Sequence, residues 1–282
     1  MANHKLDMGK AWTQATGLIG ANRDTISAIA GLFFFLPTLA LALFAPELAT
    51  PEAVAAPDGD PQAAMQAMVD QITQAYADNW LLFAAMTLAQ FVGSLSLLAL
   101  LTDRAHPTVR EALTSGLRSL PSYLGAQLLS ALGVALAIGI PLGLVAAAGS
   151  PVATVLVGIV LVIIGVYIFI KFSLIAPVIA IDGELNPIKA LARSWRLTKG
   201  NSFRIAAFLA LLFVTIGIIA ALVTGILGLV LSAFGAQVAN VGNGLVSAVI
   251  NTGIGVIFLV VIAAIHRQLA GESPEGLAST FG

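Results

Sequence analysis

Residues 152–181 read VATVLVGIVLVIIGVYIFIKFSLIAPVIAI, and Lys171 is the only charged side chain in this run. About 20 helical residues cross the apolar core of a bilayer, which is about 30 Å thick. The run is therefore long enough for a membrane-spanning helix with residues to spare. The whole chain is 59% hydrophobic and 10% charged, whereas soluble domains carry about 25% charged residues.

Five further stretches have the same apolar character. We predict an all-α integral membrane protein with six transmembrane helices, at residues 25–43, 80–101, 123–148, 152–181, 203–233 and 245–265. The first stretch begins too late and runs too long for a cleaved signal peptide, so it is interpreted as a retained anchor. A single transmembrane domain is predicted over 1–267, with a flexible cytoplasmic tail over 268–282.

The basic residues of the chain fall in alternate gaps between these stretches. Lys and Arg precede the first stretch and follow the second, fourth and sixth, while the other gaps contain neither. The gap over 46–79 instead carries acidic residues: Glu47, Glu52, Asp58, Asp60, Asp70 and Asp78. By the positive-inside rule, both termini are predicted to be cytoplasmic and the 46–79 insertion to face outward. Within this insertion, 50–61 has the composition of a linker, and a helix is predicted to begin at Pro61.

Three basic segments, each before an odd-numbered span, predict short helices in the membrane interface. The segments align at residues 10–12 (KAW), 111–113 (EAL) and 189–191 (KAL). The predicted N-caps are Asp7, Thr108 (in a capping box with Glu111) and Asn186. We therefore predict three parallel repeats, each an interfacial helix plus a transmembrane hairpin. The alternative is that any amphipathic helix before a span shows this pattern.

Lys171 is the one ionisable group well inside a stretch, where such a residue indicates a function by default. A lipid phosphate, a backbone carbonyl, Asn251 or Gln90 could be its partner, since no Asp or Glu lies within any span. The alternative is that the side chain snorkels to the interface.

The densest basic cluster, formed by Arg193, Arg196 and Lys199, follows the fourth stretch. It indicates binding of anionic lipid headgroups, with Trp195 at the interface; the alternative is that its charges only set topology. Ile188, Leu191 and Trp195 are predicted to form the apolar face of this helix. The predicted lipid- or ligand-binding residues are Lys171, Lys189, Arg193, Trp195, Arg196, Lys199 and Asn201.

The glycines Gly139 and Gly143 have the small-xxx-small spacing that favours close helix packing. Pro141, between them, is predicted to kink the third span. A broken helix around a substrate site is the alternative interpretation.

Several classes of function lack their sequence signals. The chain has no cysteine and no H-E-x-x-H, G-x-S-x-G or phosphate-binding glycine loop. No cofactor, metal site or catalytic residue is predicted, and His106 and His266 lie beside membrane edges where they need no catalytic role. A net charge of −1 makes nucleic acid an unsuitable partner.

Residues 177–204 read PVIAIDGELNPIKALARSWRLTKGNSFR. The proline, the Asp-Gly-Glu turn, the Ser-Trp pair and the Lys-Gly-Asn triplet resemble bacterial multi-span proteins of the glycerophosphoryl diester phosphodiesterase membrane domain and YciC-like group. The close resemblance covers about a tenth of the chain. In some members a soluble phosphodiesterase barrel follows the membrane part. The 268–282 tail is too short for one, so the resemblance implies no phosphodiesterase activity here.

The resulting hypothesis is a non-enzymatic protein of the bacterial inner membrane. Its partners would be membrane lipids, and other membrane proteins or further copies of the chain are alternatives. A permease for a small or amphiphilic solute is the second hypothesis, based on Lys171 and the glycine-rich third and sixth spans.

The charge pattern makes a prediction about orientation. A cysteine placed at Asp58, in a chain without natural cysteine, should react with a membrane-impermeant thiol reagent added outside intact cells. A cysteine at Lys199 should react only after permeabilisation. Labelling of the Asp58 position by a reagent confined to the cytosol would contradict the predicted topology.

Overall fold

The computed structural model describes residues 5–45, 48, 61–102 and 108–271, and every regular element in these residues is helical. The α-helices are α1 (Met8–Ala21), α2 (Arg23–Ala30), α3 (Leu36–Phe44), α4 (Pro61–Asp78), α5 (Trp80–Leu100), α6 (Val109–Val134), α7 (Ile140–Ala147), α8 (Pro151–Phe172), α9 (Ile175–Ala180), α10 (Pro187–Leu197), α11 (Ser202–Ser232) and α12 (Ala236–Ala270). The all-α prediction is confirmed. Most of the predicted 50–61 linker and the end of the tail, 272–282, lie outside the described residues.

Six helical segments are long and apolar enough to cross a membrane, as predicted. They are Arg23–Phe44, Trp80–Leu100, Val109–Ala147, Pro151–Ala180, Ser202–Ser232 and Ala236–Ala270. Many large apolar side chains on them are exposed, including Leu132, Ile163 and Leu222. In water such a surface would be costly, whereas in a bilayer it faces hydrocarbon. The protein is a multi-pass membrane protein.

The predicted N-caps are confirmed. The Asp7 carboxylate accepts the Lys10 N–H at 3.0 Å, and Thr108 and Glu111 form the reciprocal capping box. Asn186 accepts from two N–H groups at the start of α10. Each side chain satisfies donors that the first turn of a helix cannot pair internally.

The three basic segments differ in how they join the following span. Asn22 separates α1 from α2, and a turn separates α10 from α11. The second segment has no such break, because α6 continues past Pro121 to Val134. A separate short helix is therefore absent at this position, and the three-repeat arrangement stays a prediction.

Two transmembrane segments contain a π-helical turn that ends two positions before a proline. These turns span Gly31–Phe35, before Pro37, and Ala135–Gly139, before Pro141. Proline lacks an N–H and its ring clashes with the carbonyl four residues earlier, and a wider turn relieves both problems. At Pro141, where the sequence predicted a kink, the structure thus has a π-helical turn just before the proline.

The predicted helix at Pro61 is confirmed as α4. Only Asn79 lies between α4 and α5. The backbone hydrogen bonds continue across this residue, from Asn79 N–H to the Ala75 carbonyl and from Phe83 N–H to the Asn79 carbonyl. The helix α4 thus joins α5 almost without interruption.

The chain divides into two compact units. Unit 1 comprises Met1–Ile26, Ser94–Thr215 and Ile257–Gly282, and unit 2 comprises Ser27–Gly93 and Ile216–Val256. Within unit 2, Gly93 lies against the Phe33 side chain and Gly244 against Ala42. Within unit 1, α6, α9 and α10 share a buried cluster made of Ala126, Ile175, Val178, Ile179 and Ala190.

Close helix contact in unit 1 occurs at Gly116 rather than at the predicted glycine pair. A Cβ atom at Gly116 would lie 2.8 Å from the backbone nitrogen of Ser96 in α5. At Gly139 and Gly143 no heavy atom of the described residues lies within 4 Å of the corresponding position. The close packing predicted for Gly139 and Gly143 is absent among the described residues.

The close contact of Gly116 with Ser96 predicts different effects on stability for two alanine substitutions in α6. Gly116→Ala should lower the free energy of unfolding by about 1–3 kcal/mol, because the backbone of α5 must move. Gly133→Ala meets nothing within 4 Å and should leave stability unchanged or raise it by up to about 1 kcal/mol. Thermal unfolding in detergent measures both, and equal midpoints for the two variants would contradict the close contact.

Candidate functional site

Within unit 1, α10 packs against its neighbours through small residues. Ala190 and Ser194 are fully buried, and the Ser194 hydroxyl donates to the Lys171 carbonyl at 2.7 Å. Ile188 is 67% exposed and Trp195 is 39% exposed. The predicted apolar face is thus divided, because Ile188 is exposed whereas Leu191 packs against the buried cluster and Trp195 packs on Phe172.

A basic groove lies along the outer side of α10. It has a volume of about 540 Å³ and is lined by Glu184, Lys189, Ala192, Arg193, Trp195 and Arg196. Four of the predicted site residues thus come together here. Lys199 is exposed but does not line the groove.

The cations of the groove differ in their partners. Arg193 donates from Nε to the Asp182 carboxylate at 2.5 Å. The Asp182 side chain is only 8% exposed, so Arg193 has a structural partner. No ion pair involves Lys189 or Arg196 within the described ranges.

Asp182 has a second partner, His266, near the end of α12. The His266 Nε2 atom lies 3.1 Å from the same carboxylate oxygen, and the residue is fully buried. An ionised carboxylate only accepts hydrogen bonds, so Nε2 is assigned the proton. We call Asp182, Arg193 and His266 the Asp182 cluster. It ties the turn after α9 to α10 and α12.

Opposing effects act on the pKa of Asp182. Burial raises the pKa of this carboxyl group. The hydrogen bond and charge of His266, together with the Arg193 guanidinium, outweigh burial and hold the pKa below its ordinary value of 3.8. Asp182 is consequently ionised at neutral pH.

The Asp182 cluster retains unused hydrogen-bonding capacity. Asp182 Oδ1 and His266 Nδ1 are buried and have no partner among the described residues. The same residues contain no group of three His, Asp or Glu side chains suited to a metal ion. The cluster is thus an ion-pair and hydrogen-bond network.

Lys171 lies behind Trp195. The residue is 2% exposed, and its Nζ atom lies 5.3 Å from the ring centroids of both Tyr167 and Trp195. Cation–π attraction at such distances contributes about 2 kcal/mol when the cation is desolvated. Among the described residues, the ammonium thus contacts two aromatic rings, and a lipid phosphate as its partner stays a prediction.

Asn201 holds the N-terminal segment. Its carboxamide oxygen accepts the Leu6 N–H at 2.9 Å, and Arg204 donates to the Leu6 carbonyl at 3.2 Å. Gln268 accepts the Asp7 N–H at 2.8 Å. These contacts connect the segment before α1 with α11 and α12. Asn201 thus has a packing role apart from the groove.

Sequence reasoning missed Asp182 and His266 as members of the site. Asp182 directly follows the fourth apolar stretch and His266 directly follows the sixth, and this shared position at the end of a stretch was a usable signal. Their separation of 84 residues gave no local pattern that could pair them.

The Asp182 cluster predicts a pH-dependent stability. Asp182→Asn should lower the free energy of unfolding by about 1–3 kcal/mol at neutral pH, because a buried charge-assisted network is weakened. Since the folded-state pKa lies below the ordinary value, this stabilisation is present above pH 3.8 and is lost as the pH falls further. The difference in melting temperature between wild type and Asp182→Asn should therefore shrink in acid.

Asp24→Asn is the matched control, because the Asp24 side chain is 94% exposed. It should melt like wild type at neutral pH. A difference between wild type and Asp182→Asn that stays constant down to strongly acidic pH would contradict the lowered pKa.

Comparison with known proteins supports the resemblance found in the sequence. Residues 137–270 match the family model for the membrane domain of glycerophosphoryl diester phosphodiesterase, slightly less than half of the chain. No curated protein and no solved structure matches the chain. The Asp182 cluster, the groove and Lys171 all lie inside the matched residues. Over this part, the multi-pass membrane protein is similar to the membrane domain of glycerophosphoryl diester phosphodiesterase.

Proposed function

We propose that this protein binds anionic lipid headgroups in the basic groove of α10, at the cytoplasmic face of a bacterial inner membrane, without catalysing a reaction. The observation that carries the proposal is the lining of the groove. Lys189, Arg193 and Arg196 surround an open volume large enough for a headgroup. Each basic residue near an anionic membrane surface contributes on the order of 1 kcal/mol.

The apolar residues beside the groove favour a lipid over a soluble anion. Ile188 and Trp195 are exposed next to the cations. An indole and an aliphatic side chain at this position suit the boundary between headgroups and acyl chains. Basic and apolar groups on one exposed helix match the two parts of a lipid.

Within the groove, Lys189 and Arg196 are proposed as the direct ligands. Arg193 is already bound to Asp182, so it orients the helix and adds positive potential. The permease hypothesis, and partnership with other membrane proteins or further copies, keep only their support from the sequence.

The proposal predicts a loss of lipid binding when Lys189 and Arg196, which form no ion pair among the described residues, are neutralised. Lys189→Gln with Arg196→Gln should weaken binding of phosphatidylglycerol about thirtyfold, because two contributions of about 1 kcal/mol are removed. Native mass spectrometry with defined lipids measures the bound fraction.

Arg110→Gln with Arg118→Gln is the matched control. It removes the same charge from exposed positions in α6, outside the groove lining. If both double variants lose lipid equally, or neither does, the groove is not the binding site.

A further inference from the structure

The positive charge of Lys171 is incompletely balanced. Among the described residues its ammonium contacts the Tyr167 and Trp195 rings, and no carboxylate pairs with it. Ring quadrupoles attract a cation less strongly than a full negative charge does. A buried cation in this condition favours the arrival of an anion.

Of the two rings that contact the Lys171 ammonium, that of Trp195 belongs to the groove lining. Its ring is nearly perpendicular to that of Tyr167, with centroids 5.9 Å apart, and it packs on Phe172 at 5.8 Å. One indole therefore separates the buried ammonium from the open groove. Rotation of this side chain would let the charge of Lys171 act directly on a ligand in the groove.

The net positive charge of the groove and its neighbours determines which negative charge on a ligand would balance it. The groove holds three cations and Glu184, and Asp182 neutralises Arg193. Among the groove-lining residues and Asp182, one positive charge remains unbalanced, and Lys171 raises the number to two. A headgroup with two negative charges would match this surplus.

We propose, on the basis of the lipid site above, that the groove selects lipid headgroups whose phosphate carries two negative charges, and that Lys171 supplies the second countercharge from behind Trp195. Phosphatidic acid has such a phosphomonoester. Phosphatidylglycerol, a phosphodiester with one charge, engages Lys189 and Arg196 alone. Lys171 is thus a specificity-determining residue of the groove.

The test compares phosphatidic acid and phosphatidylglycerol with identical acyl chains on the purified full chain. In Lys171→Met, the preference for phosphatidic acid should fall about tenfold, while phosphatidylglycerol affinity changes less than about twofold. Lys171→Arg keeps the charge and should keep most of the preference. Lys189→Gln with Arg196→Gln should weaken both lipids.

The outcomes separate this inference from the proposed function. An unchanged preference in Lys171→Met overturns the role of Lys171 but leaves the lipid site intact, provided that neutralising Lys189 and Arg196 still weakens both lipids. If that double substitution has no effect, the lipid site itself fails. Inorganic pyrophosphate that binds as tightly as phosphatidic acid would show a soluble anion as the ligand and overturn the lipid assignment.

If Lys171→Met fails to fold, a second measurement tests the inference in a chain that keeps Lys171. The chain has three tryptophans, and Trp12 and Trp80 are exposed. With both replaced by Phe, the emission of Trp195 reports on its own surroundings. Phosphatidic acid should shift this emission more than phosphatidylglycerol does, and equal shifts for the two lipids would overturn the inference.

Discussion

The arrangement of α10 depends on the interactions of one buried group, the carboxylate of Asp182. It accepts from Arg193 within α10 and from His266 in α12, residues that are far apart in the sequence. Removing one partner of a buried ion pair leaves an uncompensated charge, so such pairs define geometry more than they add stability. The position of α10, and with it the groove, therefore depends on these polar contacts as well as on the buried cluster that α10 shares with α6 and α9.

This dependence gives the basic residues of α10 two different roles. Hydropathy and charge patterns treat Lys189, Arg193 and Arg196 as one cluster. The structure separates Arg193, which is bound to a carboxylate, from the other two, which have no carboxylate partner in the described part of the chain. Only the latter can exchange water for a headgroup phosphate without breaking an existing ion pair. A charge count from the sequence therefore overstates the charge available to a ligand.

The features that the sequence predicted are those with a local cause. The six spans follow from hydropathy, because each helix must satisfy its own backbone in hydrocarbon. The caps at Asp7, Thr108 and Asn186 follow from side chains within three residues of the donors they serve. The contact at Gly116 and the pairing of Asp182 with His266 depend on which helices become neighbours, which no local pattern contains. For Gly139 and Gly143, on either side of Pro141, the sequence predicted a close contact that is absent among the described residues. The spacing of the two glycines permits close packing but does not supply a partner helix.

The three basic segments share a packing pattern but not the chemistry of α10. The aligned alanines and the residues four positions later are all buried: Ala11 and Ala15, Ala112 and Gly116, Ala190 and Ser194. The next residue is Thr16 in the first segment, Leu117 in the second and Trp195 in the third. Small residues bring α10 close enough for Ser194 to bond the Lys171 carbonyl, and the following indole then lies over the ammonium. Threonine and leucine cannot make this cation–π contact. The common pattern thus accounts for how each segment docks, while the aromatic residue that only the third segment carries at this position makes α10 suitable for a ligand site.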